Sequence, residues 1–136
     1  MSKPIPAVRK YMSTSPHSIG PDGNLVQAHA MMREHSIRHL PVLDGGVLVG
    51  VVSARDVSQI EALVGGNPKQ IPVGDAMATN VYATTPDAPL DEVVDEMARR
   101  KVGCAVVMDH SHVVGIVTTV DVCTALAELL RGRLRA

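Results

Sequence analysis

The chain has 136 residues, enough for about one domain, and 46% of them are hydrophobic, yet Trp and Phe are absent and Tyr occurs only at Tyr11 and Tyr82. Its 13 Lys and Arg nearly balance 14 Asp and Glu, and a net charge of −1 supplies no long-range field for DNA, RNA or anionic lipid, which disfavours nucleic-acid binding. No apolar run reaches bilayer length, the opening MSKPIPAVRK lacks the apolar centre of a signal peptide, and Cys104 and Cys123 are too few for a disulfide scaffold; the expectation is a reduced, cytoplasmic protein with no membrane partner.

The chain repeats itself. Residues 8–58 align without a gap on residues 73–123, an offset of 65. Met12/Met77, Pro21/Pro86, Asp22/Asp87, Leu25/Leu90, Met32/Met97, Val42/Val107, Asp44/Asp109, Gly50/Gly115, Val52/Val117 and Asp56/Asp121 are among the identical pairs. A match of this density predicts two copies of one structural unit, over residues 1–64 and 73–136, joined by an exposed linker at 65–72.

In chain order, each copy begins with a short lead-in, Val8–Met12 or Val73–Met77, and a brief extended piece, His17–Ile19 or Tyr82–Thr84. Pro21-Asp22 and Pro86-Asp87 mark a turn and a helix start. Leu25, Ala28 and Met32 follow at helical spacing, and Leu90, Val93, Val94 and Met97 give a cleaner stripe. Two short apolar runs come next, His39–Leu43 and Val47–Val52, around the hairpin signal Asp44-Gly45-Gly46. In the second copy Cys104–Met108 and Val113–Val117 flank Asp109–His112, a weaker turn sequence. Helices from Ala54 to about Leu63 and from Thr119 to about Leu134 close the copies. The order β-α-β-β-α predicts an α/β (α+β) fold with a small sheet and both helices on one face in each unit. About 50 residues is marginal for an independent core, so two units packed about a pseudo-two-fold axis are expected.

Gly50-Val51-Val52-Ser53-Ala54-Arg55-Asp56 and Gly115-Ile116-Val117-Thr118-Thr119-Val120-Asp121 carry the functional signal. In each, a buried strand runs straight into a helix N-terminus, where free amides and the helix dipole suit a phosphate. The acids then serve the two hydroxyls of a ribose, since a carboxylate only accepts hydrogen bonds. The competing reading is a plain capping box, Ser53 with Asp56 and Thr118 with Asp121, and the tetrapeptide alone does not separate the two. Gly50 and Gly115, inside strands, mark either a close ligand or backbone approach or a bulge. Arg38, His39 and Arg55 would add charge for a polyphosphate in the first copy, where the second has Gly103, Cys104 and Val120 with Lys101 nearby, so the first cleft is expected to prefer more charge; solvated surface arginines are the alternative. His110-Ser111-His112, His29 and His35 fall short of a zinc ligand set, no nucleophile–base pair stands in a recognisable context, and the methionines read as core filler, so neither metal nor catalysis is expected. Arg131, Arg133 and Arg135 read as a basic tail beyond the last helix, complementing its dipole.

These ordered, twice-recurring motifs resemble tandem CBS domains, named after cystathionine β-synthase, over about residues 8–126. Val106 in place of the proline at Pro41, and the differing Gly20 and Thr85, are the departures. The resemblance implies a non-enzymatic regulatory module, without an obligatory cofactor, that binds AMP, ADP, ATP or S-adenosylmethionine in clefts between paired units. It assigns phosphate and ribose to Ser53 and Asp56 in one cleft and to Thr118 and Asp121 in the other. It lays adenine against Ser18, Ile19 and Gly20 with Arg38 to Leu40, and against Ala83, Thr84 and Thr85 with Gly103 to Ala105. It also implies a homodimer that signals to a separate effector protein. A ligand-independent dimerisation or docking module is the alternative.

Overall fold

The computed structural model describes residues 4–135. In chain order the elements are β1 (Ser13–Thr14), α1 (Leu25–Glu34), β2 (His39–Asp44), β3 (Val47–Ser53), α2 (Ala54–Val64), β4 (Ala83–Thr84), α3 (Leu90–Arg100), β5 (Cys104–Asp109), β6 (His112–Thr118) and α4 (Thr119–Arg135), with short 3-10 turns at Val8–Lys10, Pro68–Gln70 and Val73–Asp75. The second repeat has the anticipated β-α-β-β-α order; in the first, the anticipated strand His17–Ile19 is reduced to a single parallel bridge, Ile19 with Val42, and the strand preceding α1 is Ser13–Thr14. The basic residues at 131, 133 and 135 lie in the last turns of α4 rather than beyond it, and the side chains of Arg133 and Arg135 fall outside the described residues.

Two compact units emerge, and their boundaries in space differ from those of the repeat in sequence. One spans Pro16–Val81; the other joins the residues up to Ser15 to those from Tyr82 onward. Each lead-in therefore packs on the hairpin of the other repeat. β1 pairs antiparallel with β6, Ser13 opposite Ile116, while Ala78 pairs antiparallel with Val51 through hydrogen bonds of 3.0 and 2.8 Å. The supposed linker is likewise part of a unit. Ile71 is buried in the core of the Pro16–Val81 unit, and its carbonyl accepts from Leu25 N at 3.1 Å, because the chain after α2 must return past α1 to reach β3.

Within the Pro16–Val81 unit, Leu25, Ala28 and Met32 of α1 share a core with Leu40, Val42 and Val52 of the hairpin and Val57 of α2. Both helices thus lie on one face, as the element order implies. In the other unit Leu90, Val93 and Met97 meet Ala105, Val107, Val117 and the lead-in residue Val8. Burying Leu25 or Leu40 completely stabilises by about 2 kcal/mol each. The opposite face of each hairpin is buried too, at Pro41 and Val51 and at Val106 and Ile116, which is why the strands read as continuous apolar runs rather than alternating ones.

Local signals set the ends. α1 starts at Asn24 rather than at Pro21-Asp22: the Asn24 side chain accepts from Gln27 N and the Gln27 side chain accepts from Asn24 N, a complete capping box. The β2–β3 turn uses Gly45 and Gly46 at positive φ; the β5–β6 turn adopts the same sign at His110 and Ser111, φ 50° and 69°, despite its poorer sequence. Gly50 and Gly115 each follow a one-residue bulge, Val49 or Val114 being the extra residue. A Cβ at Gly50 would lie 2.6 Å from Met77 Sδ and 2.8 Å from Ala78 O; one at Gly115 would lie 2.5 Å from Met12 Sδ. Both glycines, then, admit the methionine of a lead-in.

Candidate functional site

β3 delivers Ser53 directly to the N-cap of α2, because Ser53 is the last extended residue (φ −106°, ψ 162°) before the helix. Its Oγ accepts from Asp56 N at 3.0 Å, and Asp56 Oδ2 accepts from Ser53 N at 3.0 Å. The capping box is therefore formed. Ala54 N donates to Arg38 O at 2.9 Å. Of the amides from Ser53 to Asp56, only that of Arg55 is left without a partner among the described residues, fewer than the cluster of free donors anticipated.

The second repeat follows the same plan with one change. Asp121 Oδ2 accepts from Thr118 N at 2.9 Å and from Thr118 Oγ1 at 3.3 Å, so this hydroxyl donates to the acid. Thr119 N donates to Gly103 O at 3.2 Å. In both repeats one carboxylate oxygen is engaged by the helix start, and the other, Oδ1, has no hydrogen bond among the described residues. Asp56 and Asp121 are both half-buried.

The hairpin register brings the remaining residues to these helix starts. His39 stands opposite Ser53, and Cys104 opposite Thr118. Arg38 precedes His39 and is tied by its carbonyl to α2, while Arg55 is the second residue of that helix; both are exposed, and neither makes an ion pair among the described residues. Gly103 and Val120 occupy the equivalent places in the second repeat. Burial pushes the His39 imidazole below its usual range, Arg38 adds to that, and the Asp56 carboxylate opposes it.

The short strands sit one step further across each sheet. Ile19 donates to Pro41 O at 3.1 Å and accepts from Leu43 N at 2.9 Å, so its own amide and carbonyl face β2. Ser18 and Gly20 turn their amides the other way, with the Gly20 carbonyl taken by Gly23 N. Ala83 and Thr84 pair with Val106 and Val107, and the Thr85 carbonyl accepts from Ala88 N. Ser18, Ile19 and Gly20 thus join Arg38, His39, Ser53, Arg55 and Asp56 in one unit, while Ala83, Thr84, Thr85, Gly103, Cys104, Thr118 and Asp121 gather in the other.

One feature of these strands escapes motif reading. The His17 and His35 rings stack at 3.5 Å with 10° between planes, and at the same places in the second repeat the Arg100 guanidinium lies 4.7 Å from the Tyr82 ring centre. Aligning the copies at their offset of 65 pairs 17 with 82 and 35 with 100, which was the available signal. Each pair ties the start of a short strand to a helix C-terminus. A shallow depression of about 370 Å³ lies along α3 beside Tyr82, lined otherwise by Glu92, Asp95, Glu96, Arg99 and Arg100, and no candidate site residue borders it. Among the described residues no His, Cys, Asp or Glu cluster of metal-site size occurs, and no helix is long and apolar enough to cross a membrane.

Comparison with known proteins places this arrangement. The CBS domain pattern matches residues 8–62 and 73–128, and the chain belongs to that family. It is 27% identical over 115 residues to the CBS domain-containing protein YhcV of Bacillus subtilis, covering 85% of this chain and 81% of that one. It is 33% identical over 124 residues to L-aspartate semialdehyde sulfurtransferase of Methanocaldococcus jannaschii, but it spans only 23% of that protein's length. Among solved structures it resembles the CBS domain pair of protein MJ0100 in complex with 5′-methylthioadenosine and S-adenosyl-L-methionine, with TM-score 0.82 and 28% identity over 92% of this chain and 98% of that one.

Proposed function

We propose that the chain is a non-enzymatic regulatory module that binds adenosyl compounds, AMP, ADP, ATP or S-adenosylmethionine, at the helix starts of its two repeats and passes the signal to an effector protein. The observation that carries this reading is the meeting, at one helix N-terminus, of a half-buried carboxylate with an oxygen unengaged among the described residues and two arginines, Arg38 and Arg55, that make no ion pair among them. A ribose diol donates to such a carboxylate, and guanidinium groups take phosphate oxygens in forked contacts. Ser18 and Gly20, whose amides face away from β2, would read a base edge in this proposal. Binding of methylthioadenosine and S-adenosylmethionine by the MJ0100 pair supports the ligand class. A cytoplasmic setting accords with a nucleotide signal.

The second reading, a ligand-independent dimerisation or docking module, is favoured by α4. Its Leu126, Leu129 and Leu130 are 52%, 50% and 46% exposed, an apolar surface suited to another copy of the chain. Calorimetric titration with AMP, ATP and S-adenosylmethionine separates the readings. Asp56→Asn with Asp121→Asn is the informative variant, since Asn keeps an oxygen for the cap but replaces the other acceptor with a donor. The sensor reading expects heat from at least one compound, abolished in the double variant while its thermal melt is unchanged within about 0.5 kcal/mol. Silence of the unaltered protein with all three leaves the docking module.

A further inference from the structure

We infer that the two sites divide their ligands by charge: the α2 site takes an adenosine phosphate, and the α4 site takes an adenosyl compound with no anionic 5′ group. The inference rests on the adenosyl-binding reading and adds the ligand class of each site. The backbone frame is the same in both repeats, as Ala54 N to Arg38 O is matched by Thr119 N to Gly103 O, and His39 opposite Ser53 by Cys104 opposite Thr118. Only the side chains hung on that frame differ. At α2 they are Arg38 and Arg55, both exposed and without an ion pair among the described residues, with the Arg55 amide also lacking a partner among them. At α4 they are Gly103, which has no side chain, and Val120, an isopropyl group 71% exposed at the position equivalent to Arg55.

Charge decides the sign. Each guanidinium makes charge-assisted bonds to a phosphate and offsets the repulsion from Asp56. Neither Gly103 nor Val120 carries a charge to offset Asp121, and Lys101, the nearby cation, stands two residues before Gly103 at the C-cap of α3. An anionic 5′ group therefore meets a carboxylate and an apolar methyl surface, whereas a thioether packs against Val120 and a sulfonium is drawn to Asp121. One carboxylate for the ribose therefore serves both sites, and the residue two places after the helix cap selects what hangs from C5′.

The test uses the full chain with ATP and 5′-methylthioadenosine as probes, alone and together, in calorimetry at two salt concentrations. The expected result is one ATP and one methylthioadenosine per chain, bound without competition, with ATP alone weakened by salt. Arg55→Val and Arg38→Gly should each weaken ATP about tenfold and leave methylthioadenosine unchanged. Val120→Arg should create a second ATP site. All three positions are exposed, so these variants keep the fold. Two ATP per unaltered chain, or displacement of methylthioadenosine by ATP, overturns the division and leaves the adenosyl reading standing. Failure of both probes to bind the unaltered protein overturns the adenosyl reading itself.

Discussion

Replacing Gly50 by Ala tests how the lead-in of one repeat is held by the hairpin of the other. The new Cβ would stand 2.6 Å from Met77 Sδ, 3.0 Å from Met77 Cγ and 2.8 Å from Ala78 O. The thioether can swing away, but the Ala78 carbonyl accepts from Val51 N, the N–H of the same residue donates back to Val51 O, and the carbonyl must give about half an ångström to reach normal contact. Overpacking of this kind costs about 1–3 kcal/mol, weakened backbone bonds add up to about 1 each, and the stiffer unfolded chain returns about 0.5. Gly50→Ala should therefore destabilise by about 2 kcal/mol. At Gly115 the methionine is equally close, Met12 Sδ at 2.5 Å, but the backbone oxygen, Ser13 O, is at 3.1 Å. Gly115→Ala should cost less, about 1 kcal/mol, and nearly all of it through Met12. Urea denaturation of both variants alone and combined with Met77→Ala or Met12→Ala gives the coupling energies. Truncating Met12 should relieve most of the Gly115 penalty, and truncating Met77 only part of the Gly50 penalty. A neutral Gly50→Ala, or equal relief at both sites, would refute the argument that backbone contact rather than side-chain contact dominates at Gly50.

Ser53→Ala should cost about 1 kcal/mol of stability by removing an acceptor for the Asp56 amide, and Thr118→Ala should cost less, because its hydroxyl donates to an acid that already accepts from Thr118 N; equal losses in denaturant melts would contradict this. Lys101→Gly at the C-terminus of α3 and Ser111→Gly in the β5–β6 turn should each stabilise by up to about 1 kcal/mol, since Lys101 (φ 57°) and Ser111 (φ 69°) occupy left-handed backbone that glycine adopts freely; a lowered melting temperature in either would count against it. His39, held neutral by burial below its ordinary value of 6.5, contributes stability that is fully present above pH 6.5 and is lost as pH falls below it, because the unfolded chain takes up the proton first. His39→Gln should flatten that part of the profile, and superimposable curves for the two proteins between pH 7.5 and 5 would show that His39 does not contribute.

The parts of the fold legible in the sequence are those specified locally. Val51-Val52 ending in Ser53 with Asp56 three residues on announces strand, cap and helix together, and the helix begins where that pattern places it. Asp44-Gly45-Gly46 announces its hairpin for the same reason. The exchange of lead-ins was not legible, and the cause is symmetry. A gapless repeat makes Val8–Met12 and Val73–Met77 chemically alike, so packing Met12 against Gly115 or against Gly50 satisfies the same pattern. Only the path of the chain decides, and no residue type encodes that. The Asn24–Gln27 box, by contrast, was readable as Asn followed three places on by Gln, but the stronger Pro21-Asp22 turn signal just upstream masked it. At the site, position was legible and state was not. The offset identifies 38 with 103 and 55 with 120, yet whether Asp56 turns onto its own amide depends on a side-chain rotation that the tetrapeptide leaves free.

That rotation bears on the proposed function because cap and proposed ligand would draw on the same carboxylate, and the two uses need not exclude one another. An ionised carboxylate has about four acceptor positions on two oxygens. The Ser53 amide takes one position on Oδ2, and the Thr118 amide and hydroxyl take two on the Asp121 Oδ2. Oδ1 is left in each case. A carboxylate already fixed by its helix start has less rotational freedom to lose, so under the proposed reading the cap would lower the entropic cost of binding a diol. Arg55 shows the same economy at the next position, where its amide is the donor that the cap does not use and its side chain extends from the same residue. On the proposed adenosyl reading, Ser53, Asp56 and the Arg55 amide would act together: the bonds that start α2 also fix an acceptor for a ribose and leave a donor for a phosphate.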